Sequence, residues 1–345
     1  MKEGKTPMSW KVKLLIVLGS ILALLLVGVL GLYIWTDSLL DDINRIDPDG
    51  ETYSDEMLES LLGNQGSMET DPVVQQAESI LSSKNVVNIL LVGQDRRSNQ
   101  GARMHSDAMI LCTINTVKKT LTMTSFMRDM WVYIPDHYNE RINVPYMVGG
   151  FDLLNKTLDY NFGVSADYNV EIDFSGFMGA IDAIGGIDIE LTAAEAKYLN
   201  RRGNWDIEDN TDWNLKEGVN HLTGSQALAY SRIRAIGDDF GRTNRQRTVL
   251  TELINTAKKL TATEVYSLIR EVIPMVSTDM TNTEIMGIAM ALLPMLSELE
   301  IVSQRIPMDG EYYFATKSTG AHVIELTEDN FITNKQLLID AMKED

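Results

Sequence analysis

The sequence predicts an α/β protein with a mixed central β-sheet covered by helices on both sides, after one N-terminal transmembrane helix. A single long, uncharged apolar run lies near the N-terminus, at residues 14–35. Short apolar runs with the length or alternation of strands recur after residue 85. Segments with helical spacing are interleaved with these runs, and a sheet built this way is covered by its helices.

The apolar run at residues 14–35 is long enough to cross a membrane. At about 1.5 Å per residue it would form a helix of about 33 Å, against a hydrocarbon core of about 30 Å. Lysines precede the run and aspartates follow it, which places residues 1–13 in the cytoplasm. A cleaved signal peptide is the alternative, although its apolar core is usually shorter and no A-x-A-like site follows. We therefore expect a single-pass protein of the cell membrane with an extracytoplasmic domain.

The chain has an excess of acidic residues, and they are unevenly distributed along it. The formal net charge is −19, and residues 36–84 hold twelve acidic residues against two basic ones. Like charges and few aromatic residues predict that this segment is a solvated extracytoplasmic stem. The overall acidity argues against nucleic acid as a partner, because phosphate contacts need a basic face. The single cysteine excludes an internal disulfide framework and any CxxC site.

The interleaved strand-like and helix-like segments predict a domain at residues 85–260. The predicted strands are residues 86–93, 108–115, 120–126, 132–134, 170–173 and 187–191. The predicted helices are residues 151–160, 174–184, 225–230, 250–260, 265–276 and 282–296. Residues 261–345 are predicted to be a C-terminal helical extension of the same domain. The methionine stripe in the last of these helices indicates core packing, with the wall of a lipid-chain groove as the alternative.

Charged residues that lie beside the predicted strands are the candidates for a functional site. In open α/β sheets, ligands gather at strand ends. The densest cluster has five arginines within residues 232–247 of this acidic chain. Arginine binds phosphate oxygens with two parallel hydrogen bonds and keeps its charge. Arginines with nearby carboxylates suit a pyrophosphate with Mg²⁺, which takes one or two carboxylates and lets phosphates and water complete its shell. A solvated basic helix with surface ion pairs is the alternative.

A series of motifs in this chain resembles a known family. The motifs are, in order, NILLVGQDRR, HSDAMILCTIN, SFMRDMWVYIP, RINVPYMVGG, DAIGGIDIEL and LTGSQALAYSRIRAIGDDFGRTNRQR. Their order resembles the LytR–CpsA–Psr family of cell-wall polymer transferases, from about residue 86 to 260. The resemblance implies transfer of a glycopolymer phosphate from a polyprenyl-pyrophosphate-linked donor to a peptidoglycan hydroxyl, with release of polyprenyl phosphate. A lipid-pyrophosphate hydrolase and a non-catalytic polyprenyl-phosphate-binding or regulatory module are the alternatives.

The resemblance also implies roles for individual residues. Asp95 and Asp107 would bind Mg²⁺, and Asp95, Arg128 and Asp129 would be catalytic, with the general base left open between Asp95 and Asp129. The pyrophosphate-binding set would be Arg97, Arg103, Arg128, Arg141, Arg232, Arg234, Arg242 and Gln246. The lipid chain would lie in an apolar tunnel between sheet and helices, lined by Phe174, Phe177, Ile181 and Ile184.

Two positions depart from the family pattern. The family usually has arginine two residues before the second aspartate, where this chain has His105, and Arg103 lies two residues earlier. The family often has lysine where this chain has Arg141. Histidine is only partly charged near neutral pH, so pyrophosphate binding is expected to be weaker or pH-dependent if Arg103 does not reach the site.

Overall fold

The computed structural model describes most of the chain after residue 36. The described residues are 37–38, 40–46, 75–80, 83–94, 105–201, 213–261, 264, 268 and 270–344. The chain divides into two compact units, Met1–Asp42 and Ile43–Asp345. The transmembrane helix predicted at residues 14–35 lies outside the described residues. Across the part that is described, no helix has both the length and the apolar character needed to cross a membrane.

Strands and helices are interleaved along the second unit. The strands are β1 Asn44–Arg45, β2 Val86–Gln94, β3 Ser106–Asn115, β4 Thr120–Phe126, β5 Trp131–Tyr133, β6 Asn139–Arg141, β7 Tyr168–Asp173, β8 Ile187–Leu191, β9 Gly218–Leu222, β10 Val276–Thr278, β11 Glu300–Ile306, β12 Tyr313–Thr316 and β13 His322–Glu325. The helices are α1 Val144–Phe162, α2 Phe174–Ala183, α3 Ala193–Leu199, α4 Gly224–Ser231, α5 Asp238–Ala257, α6 Asn282–Leu292 and α7 Glu328–Met342.

The central sheet is mixed, as predicted. Within the described ranges it has seven strands in the order β1-β10-β7-β2-β3-β4-β11. Strand β2 pairs antiparallel with β3 and parallel with β7. Strand β4 pairs antiparallel with β3 and parallel with β11. The β3–β4 hairpin follows from two apolar runs joined by a short polar turn.

Helices cover both faces of this sheet, which confirms the predicted layers. Side chains alternate along β3, so Met109 and Leu111 face one core while Ile110 and Cys112 face the other. Helices α1 and α7 pack on the first face, and α5 and α6 pack on the second. Burial raises the pKa of the Cys112 thiol to about 12, so this cysteine behaves as an unreactive core residue.

The prediction of a purely helical C-terminal extension was wrong. Residues 261–345 contribute strands β10 to β13, and β11 pairs with β4 over seven residues at one edge of the central sheet. The predicted helix at 265–276 is confirmed at its described residues 268 and 270–272, but it ends in a 3₁₀ turn at Ile273–Met275, where Pro274 cannot continue an α-helix. Pairing between β4 and β11 joins residues 180 positions apart, which local spacing does not reveal. The prediction that the methionine stripe packs in the core was wrong for Met290, whose side chain is exposed. Met295 is buried, as predicted.

Parts of the predicted stem join the fold instead of standing apart from it. Asn44 and Arg45 form β1, which pairs with β10 at the other edge of the sheet. Farther along, the backbone N–H groups of Ala77 and Ile80 donate to carbonyls at the end of α1 and just beyond it. Backbone pairing does not depend on side-chain charge, so an acidic composition did not predict these contacts.

Candidate functional site

A cavity of about 500 Å³ lies between the central sheet and helices α2, α4 and α5. We call it the arginine cavity. Its polar lining residues are Asp107, Asp173, Tyr198, Ser231, Arg232, Arg234, Arg242 and Gln246. Its other lining residues are Leu91, Val92, Gly93, Ala108, Ile110, Ile172, Phe174, Phe177, Leu228 and Leu250. One cavity therefore combines a cationic wall with a largely apolar one.

Arg232 and Arg234 reach the cavity because α4 ends just before them. The helix ends at Ser231, within one residue of the predicted end, and the chain then turns away from helical geometry. Ile233 is fully buried between the two arginines, so alternate side chains point to opposite sides. The guanidinium carbon of Arg232 lies 4.6 Å from the centre of the Phe174 ring, a cation–π distance.

Helix α5 presents the third arginine of the cavity. Gly237 and Asp238 take left-handed backbone angles (φ 77° and 55°) at the start of the helix. Arg242, Gln246 and Leu250 then follow at intervals of four residues and line the cavity as one stripe. Arg245 lies only three residues after Arg242, yet it does not belong to this stripe. Arg245 is buried on the other side of α5, where its Nε donates to Glu195 Oε1 at 2.7 Å.

Arg128 lies at the centre of an ion-pair cluster beside the cavity. Its Nη1 donates to Asp107 Oδ1 at 2.9 Å, and its Nε lies 3.5 Å from Asp129 Oδ2 and 3.9 Å from Asp239 Oδ1. Burial alone would lower the pKa of Arg128, but Asp129, Asp239 and Asp107 together raise it. Arg128 therefore remains charged and positions carboxylates, and it is absent from the arginine-cavity lining that the structure describes.

Asp239 is the site residue that the sequence reasoning missed. Its Oδ1 lies 2.7 Å from Arg242 Nη2, while its Oδ2 is buried with no hydrogen-bond partner among the described residues. Burial raises the pKa of Asp239, and Arg242 and Arg128 only partly oppose this shift. Burial also lowers the pKa of Arg242. The available signal was its position three residues before Arg242 in the first turn of α5.

The remaining predicted polar residues fall into two groups. Asp95, Arg97 and Arg103 lie outside the described residues, so their roles stay predictions. Arg141 is described in β6, where its backbone N–H and its Nε donate to the neighbouring Glu140. Arg141 does not line the described part of the arginine cavity. The expectation that it contacts the same ligand as Arg232 is therefore not met in this arrangement.

His105 precedes β3 beside Arg141 and Asp107. Burial lowers the pKa of His105, the charge of Arg141 lowers it further, and Asp107 opposes the shift. The imidazole is therefore mostly neutral at pH 7, which weakens it as a substitute for the arginine that the family usually has at this position.

Two of the four predicted lipid-contacting residues line the cavity. Phe174 and Phe177, in the first turn of α2, belong to its wall. Ile181 is fully buried in a separate core with the β8–β9 hairpin, and Ile184 packs against that core, so both predictions were wrong. Ile181 lies about 10 Å farther along the helix than Phe174. There α2 packs into a core that it shares with α4 and the β8–β9 hairpin.

One of the two carboxylates predicted to bind Mg²⁺ lies in the described part of the site and suits this role. Asp107 lines the arginine cavity and offers the hard oxygen donor that Mg²⁺ prefers. The second predicted ligand, Asp95, is outside the described residues. Within those that are described, no group of three or more histidine, cysteine, aspartate or glutamate side chains is arranged to hold a metal.

Comparisons with known proteins agree with this architecture. Regulatory protein MsrR of Staphylococcus aureus is 27% identical over 280 residues, which cover 80% of each chain. The polyisoprenyl-teichoic acid–peptidoglycan teichoic acid transferase TagT of Bacillus subtilis is 28% identical over 276 residues, 79% of each chain. A structure of TagT with bound octaprenyl pyrophosphate lipid has the same fold (TM-score 0.58, 24% identity, 78% of this chain and 96% of that one). The LytR_cpsA_psr family model matches residues 52–330. The chain belongs to the LytR–CpsA–Psr family.

Proposed function

We propose that this protein transfers a glycopolymer phosphate from a polyprenyl-pyrophosphate-linked donor to a hydroxyl of peptidoglycan. The observation that carries the proposal is the arginine cavity, whose wall is cationic at Arg232, Arg234 and Arg242 and apolar at Phe174 and Phe177. An amphiphile with an anionic head and an apolar chain matches this division. The transferase name of TagT and its structure with octaprenyl pyrophosphate support the same substrate class.

The cavity arginines would stabilise charge on the reacting phosphates. In phosphoryl transfer, charge spreads over the phosphate oxygens, and fixed donors stabilise the transition state without reorganising. Arg242 is almost fully buried, and its pairing with Asp239 fixes the guanidinium in place. Arg232 rests on Phe174, which orients its planar guanidinium toward the cavity wall. These supports hold the donors ready before substrate binds.

We include Mg²⁺ in the proposal, with Asp107 and Asp95 as its protein ligands. When bound, the ion would neutralise phosphate charge and polarise the P–O bonds. Arg128 holds Asp107 in position through a hydrogen bond of 2.9 Å. Removal of divalent cations with a chelator is expected to abolish transfer, and added Mg²⁺ is expected to restore it. Full transfer in the chelated protein would contradict this part of the proposal.

The transfer reaction needs a carboxylate that accepts the proton of the acceptor hydroxyl. The acceptor hydroxyl oxygen forms a bond to the polymer phosphorus, the bond from that phosphorus to the lipid phosphate oxygen breaks, and polyprenyl phosphate leaves. The hydroxyl proton passes to a carboxylate, and Asp129 is favoured because it contacts the same Arg128 guanidinium as Asp107. Asp129 Oδ2 lies 3.5 Å from Arg128 Nε, next to the cluster that holds Asp107. We assign Asp129 as the proton acceptor.

The placement of the protein remains part of the proposal. Residues 14–35 would anchor the chain with residues 1–13 in the cytoplasm, and residues 85–260 would form the catalytic domain outside the cell membrane. Residues 261–345 would complete that domain, since β10 and β11 extend its central sheet. This arrangement brings the arginine cavity to the side of the membrane where peptidoglycan lies.

Transfer with purified full-length protein tests the proposal. The donor is lipid-pyrophosphate-linked glycopolymer, the acceptor is a peptidoglycan oligomer, and attached polymer is measured. We expect transfer by the wild type, at least 100-fold slower transfer by Arg234→Ala, and a rate within twofold of wild type for Arg201→Ala. Arg201 is an exposed arginine that lies outside the described lining of the cavity.

The same assay separates the alternatives. Release of free polymer without attachment would favour a lipid-pyrophosphate hydrolase. Tight binding of octaprenyl pyrophosphate with neither release nor transfer would favour a non-catalytic module, the reading consistent with the regulatory name of MsrR. Either result would overturn the transferase proposal.

A further inference from the structure

A second cavity, of about 370 Å³, opens on the other side of the Arg128 cluster. We call it the aromatic cavity. It lies between the first turn of α5, the residues after β4 and the β12–β13 hairpin. Its wall includes Asp129, Asp239, Phe240, Phe314, Thr316 and His322. The roles proposed above use two of its lining residues, Asp129 as the proton acceptor and Asp239 as the partner of Arg242, but they place no ligand in the cavity itself.

Phe314 gives this cavity an open aromatic surface. Its side chain is 70% exposed. Its ring nevertheless meets Phe240 and Tyr312 edge-on, with centroid distances of 6.3 and 5.5 Å. Phe240 is in turn stacked on Tyr312 at 5.0 Å. An exposed phenylalanine held in place by two other rings is a preformed platform, and a large exposed apolar side chain of this kind often marks a binding site.

The polar wall of the cavity is acidic. Asp129, Asp238 and Asp239 line it, and the lining that the structure describes contains no lysine or arginine. Ionised carboxylates accept hydrogen bonds and do not donate them, so they favour ligands with hydroxyl or amide donors. Although Arg128 and Arg242 pair with Asp129 and Asp239, the described lining offers no cation of its own to bind a phosphate group. A carboxylate wall beside an aromatic platform suits an uncharged sugar, whose C–H face packs on a ring while its hydroxyls donate to oxygens.

The two cavities are connected through Arg128. Asp129 and Asp239 belong to the aromatic cavity, and both lie within 3.9 Å of Arg128 Nε. Asp107 belongs to the arginine cavity and accepts a hydrogen bond from the same guanidinium. A hydroxyl held at Asp129 would therefore lie beside the same guanidinium that binds Asp107 of the arginine cavity.

We propose that the aromatic cavity binds a sugar ring of the acceptor glycan, with Phe314 as its platform and Asp129 and Asp239 as its hydroxyl acceptors. This inference rests on the proposed transferase function, because it assigns that function its acceptor site. It makes the two substrates bind to separate cavities that meet at Arg128. The lipid-linked donor and the glycan therefore bind at the same time.

Direct binding tests the site without any chemistry. Chitotetraose, an uncharged oligomer of N-acetylglucosamine, is titrated into the full-length protein by calorimetry. We expect saturable binding to the wild type and at least tenfold weaker binding to Phe314→Ala. Tyr313→Ala is the matched control, since Tyr313 is the neighbouring exposed aromatic of β12 and points to the opposite face of the hairpin. Its affinity is expected to stay within twofold of the wild type.

Three results would overturn the acceptor site. They are the absence of chitotetraose binding to the wild type, equal affinity in Phe314→Ala, and displacement of the sugar by saturating octaprenyl pyrophosphate. Displacement would mean that both ligands compete for the arginine cavity. Simultaneous binding of the two ligands supports the proposal.

Steady-state transfer separates failure of the site from failure of the function. In Phe314→Ala we expect the KM for peptidoglycan oligomer to rise at least tenfold, with the KM for the lipid-linked donor unchanged. If the wild type binds chitotetraose as expected but transfers no polymer, the transferase function fails and the glycan site stands. If Phe314→Ala transfers with a wild-type KM for peptidoglycan, the site fails and the function stands.

Discussion

The arginines of residues 232–247 divide into three that line a cavity and two that do not, although Arg242 of the first group is as buried as the second group. Arg232, Arg234 and Arg242 face a cavity, and Arg234 is 59% exposed at its side chain. Arg245 and Arg247 are buried and make their described contacts within the protein. Both groups come from one short, basic stretch of an acidic chain. The high density of arginines in this stretch of the sequence predicted where the site lies. The packing of α5 then shows which of these arginines a ligand can reach.

The buried group has partners for most of its hydrogen-bonding groups. Arg245 donates to Glu195 at 2.7 Å and to the backbone carbonyls of Ile233 and Ile236 at 3.0 and 2.6 Å. Burial lowers the pKa of Arg247 to about 10, and nearby Arg305 contributes to this shift. Arg247 Nε donates to Ser303 Oγ at 2.7 Å, which ties α5 to β11. These contacts favour a structural role for both residues.

The largest effect is expected at the residue that joins the two cavities. Arg128→Ala leaves Asp107, Asp129 and Asp239 without the cation that they share, so their like charges would repel each other and the donor phosphates. We expect transfer to fall about 1000-fold, near the upper end for loss of one charge-stabilising group. Transfer rates and circular dichroism of the folded variant measure this.

Arg128→Lys is the control for charge at this position. Lysine keeps the charge but not the planar fork that contacts three carboxylates, so we expect partial activity between the wild type and Arg128→Ala. Wild-type transfer in Arg128→Ala would show that the cluster is not at the reaction centre.

A pair of substitutions tests the division of the arginines itself. Arg234→Ala removes an exposed cavity arginine, and we expect at least tenfold weaker binding of octaprenyl pyrophosphate with an unchanged melting temperature. Arg245→Met leaves the buried Glu195 carboxylate without its cation, and we expect a loss of about 3–5 kcal/mol in the free energy of unfolding. The affinity of its folded fraction should stay within twofold of the wild type. The reverse pattern would contradict the assignment.

Acid is expected to weaken the buried ion pair between Arg245 and Glu195. Burial alone would raise the pKa of Glu195, but hydrogen bonds from Arg245 and Thr192 lower it below the ordinary value of 4.5. A carboxyl group whose folded pKa is lowered stabilises the fold above its unfolded pKa, and this stabilisation is lost as pH falls through the folded value. Between pH 7 and pH 3.5 the melting temperature should fall more for the wild type than for Glu195→Gln. Equal slopes would show that the ion pair contributes no pH-dependent stability.

The smallest effect is expected where one neutral hydrogen bond supports a buried arginine. Ser303→Ala removes the hydroxyl that accepts from Arg247 Nε. The expected cost is about 1 kcal/mol of unfolding free energy, measured by denaturant titration, with no change in lipid affinity. A change in lipid affinity would mean that the buried group also contributes to the ligand site.

Sequence reasoning predicted the sheet well because its strands carry local signals. The bounds of β4 and β8 were predicted to the residue, and the predicted end of α4 at Tyr230 lies one residue before its observed end. Strands β10 and β11 were missed, since their partners lie far away in the chain. Helical spacing could not separate Arg245 from Gln246, because both lie within one turn of Arg242 and only Glu195 decides which way Arg245 turns.

The site was predicted through motifs more than through geometry. Asp107, Arg232, Arg234, Arg242 and Gln246 line one cavity as the family resemblance implied. Arg128 lies beside that cavity and binds carboxylates, which no spacing rule indicated. Ile181 was assigned to the lipid wall because α2 is apolar along its length, yet that part of the helix packs into a core with α4 and the β8–β9 hairpin.

A crystal structure of the full-length protein with octaprenyl pyrophosphate tests the central claim most directly. The claim predicts both phosphates within hydrogen-bond distance of the guanidinium groups of Arg232, Arg234 and Arg242, with the prenyl chain against Phe174 and Phe177. It also predicts that Arg245 remains paired with Glu195. Phosphates bound away from these three arginines, or a prenyl chain outside the arginine cavity, would contradict it.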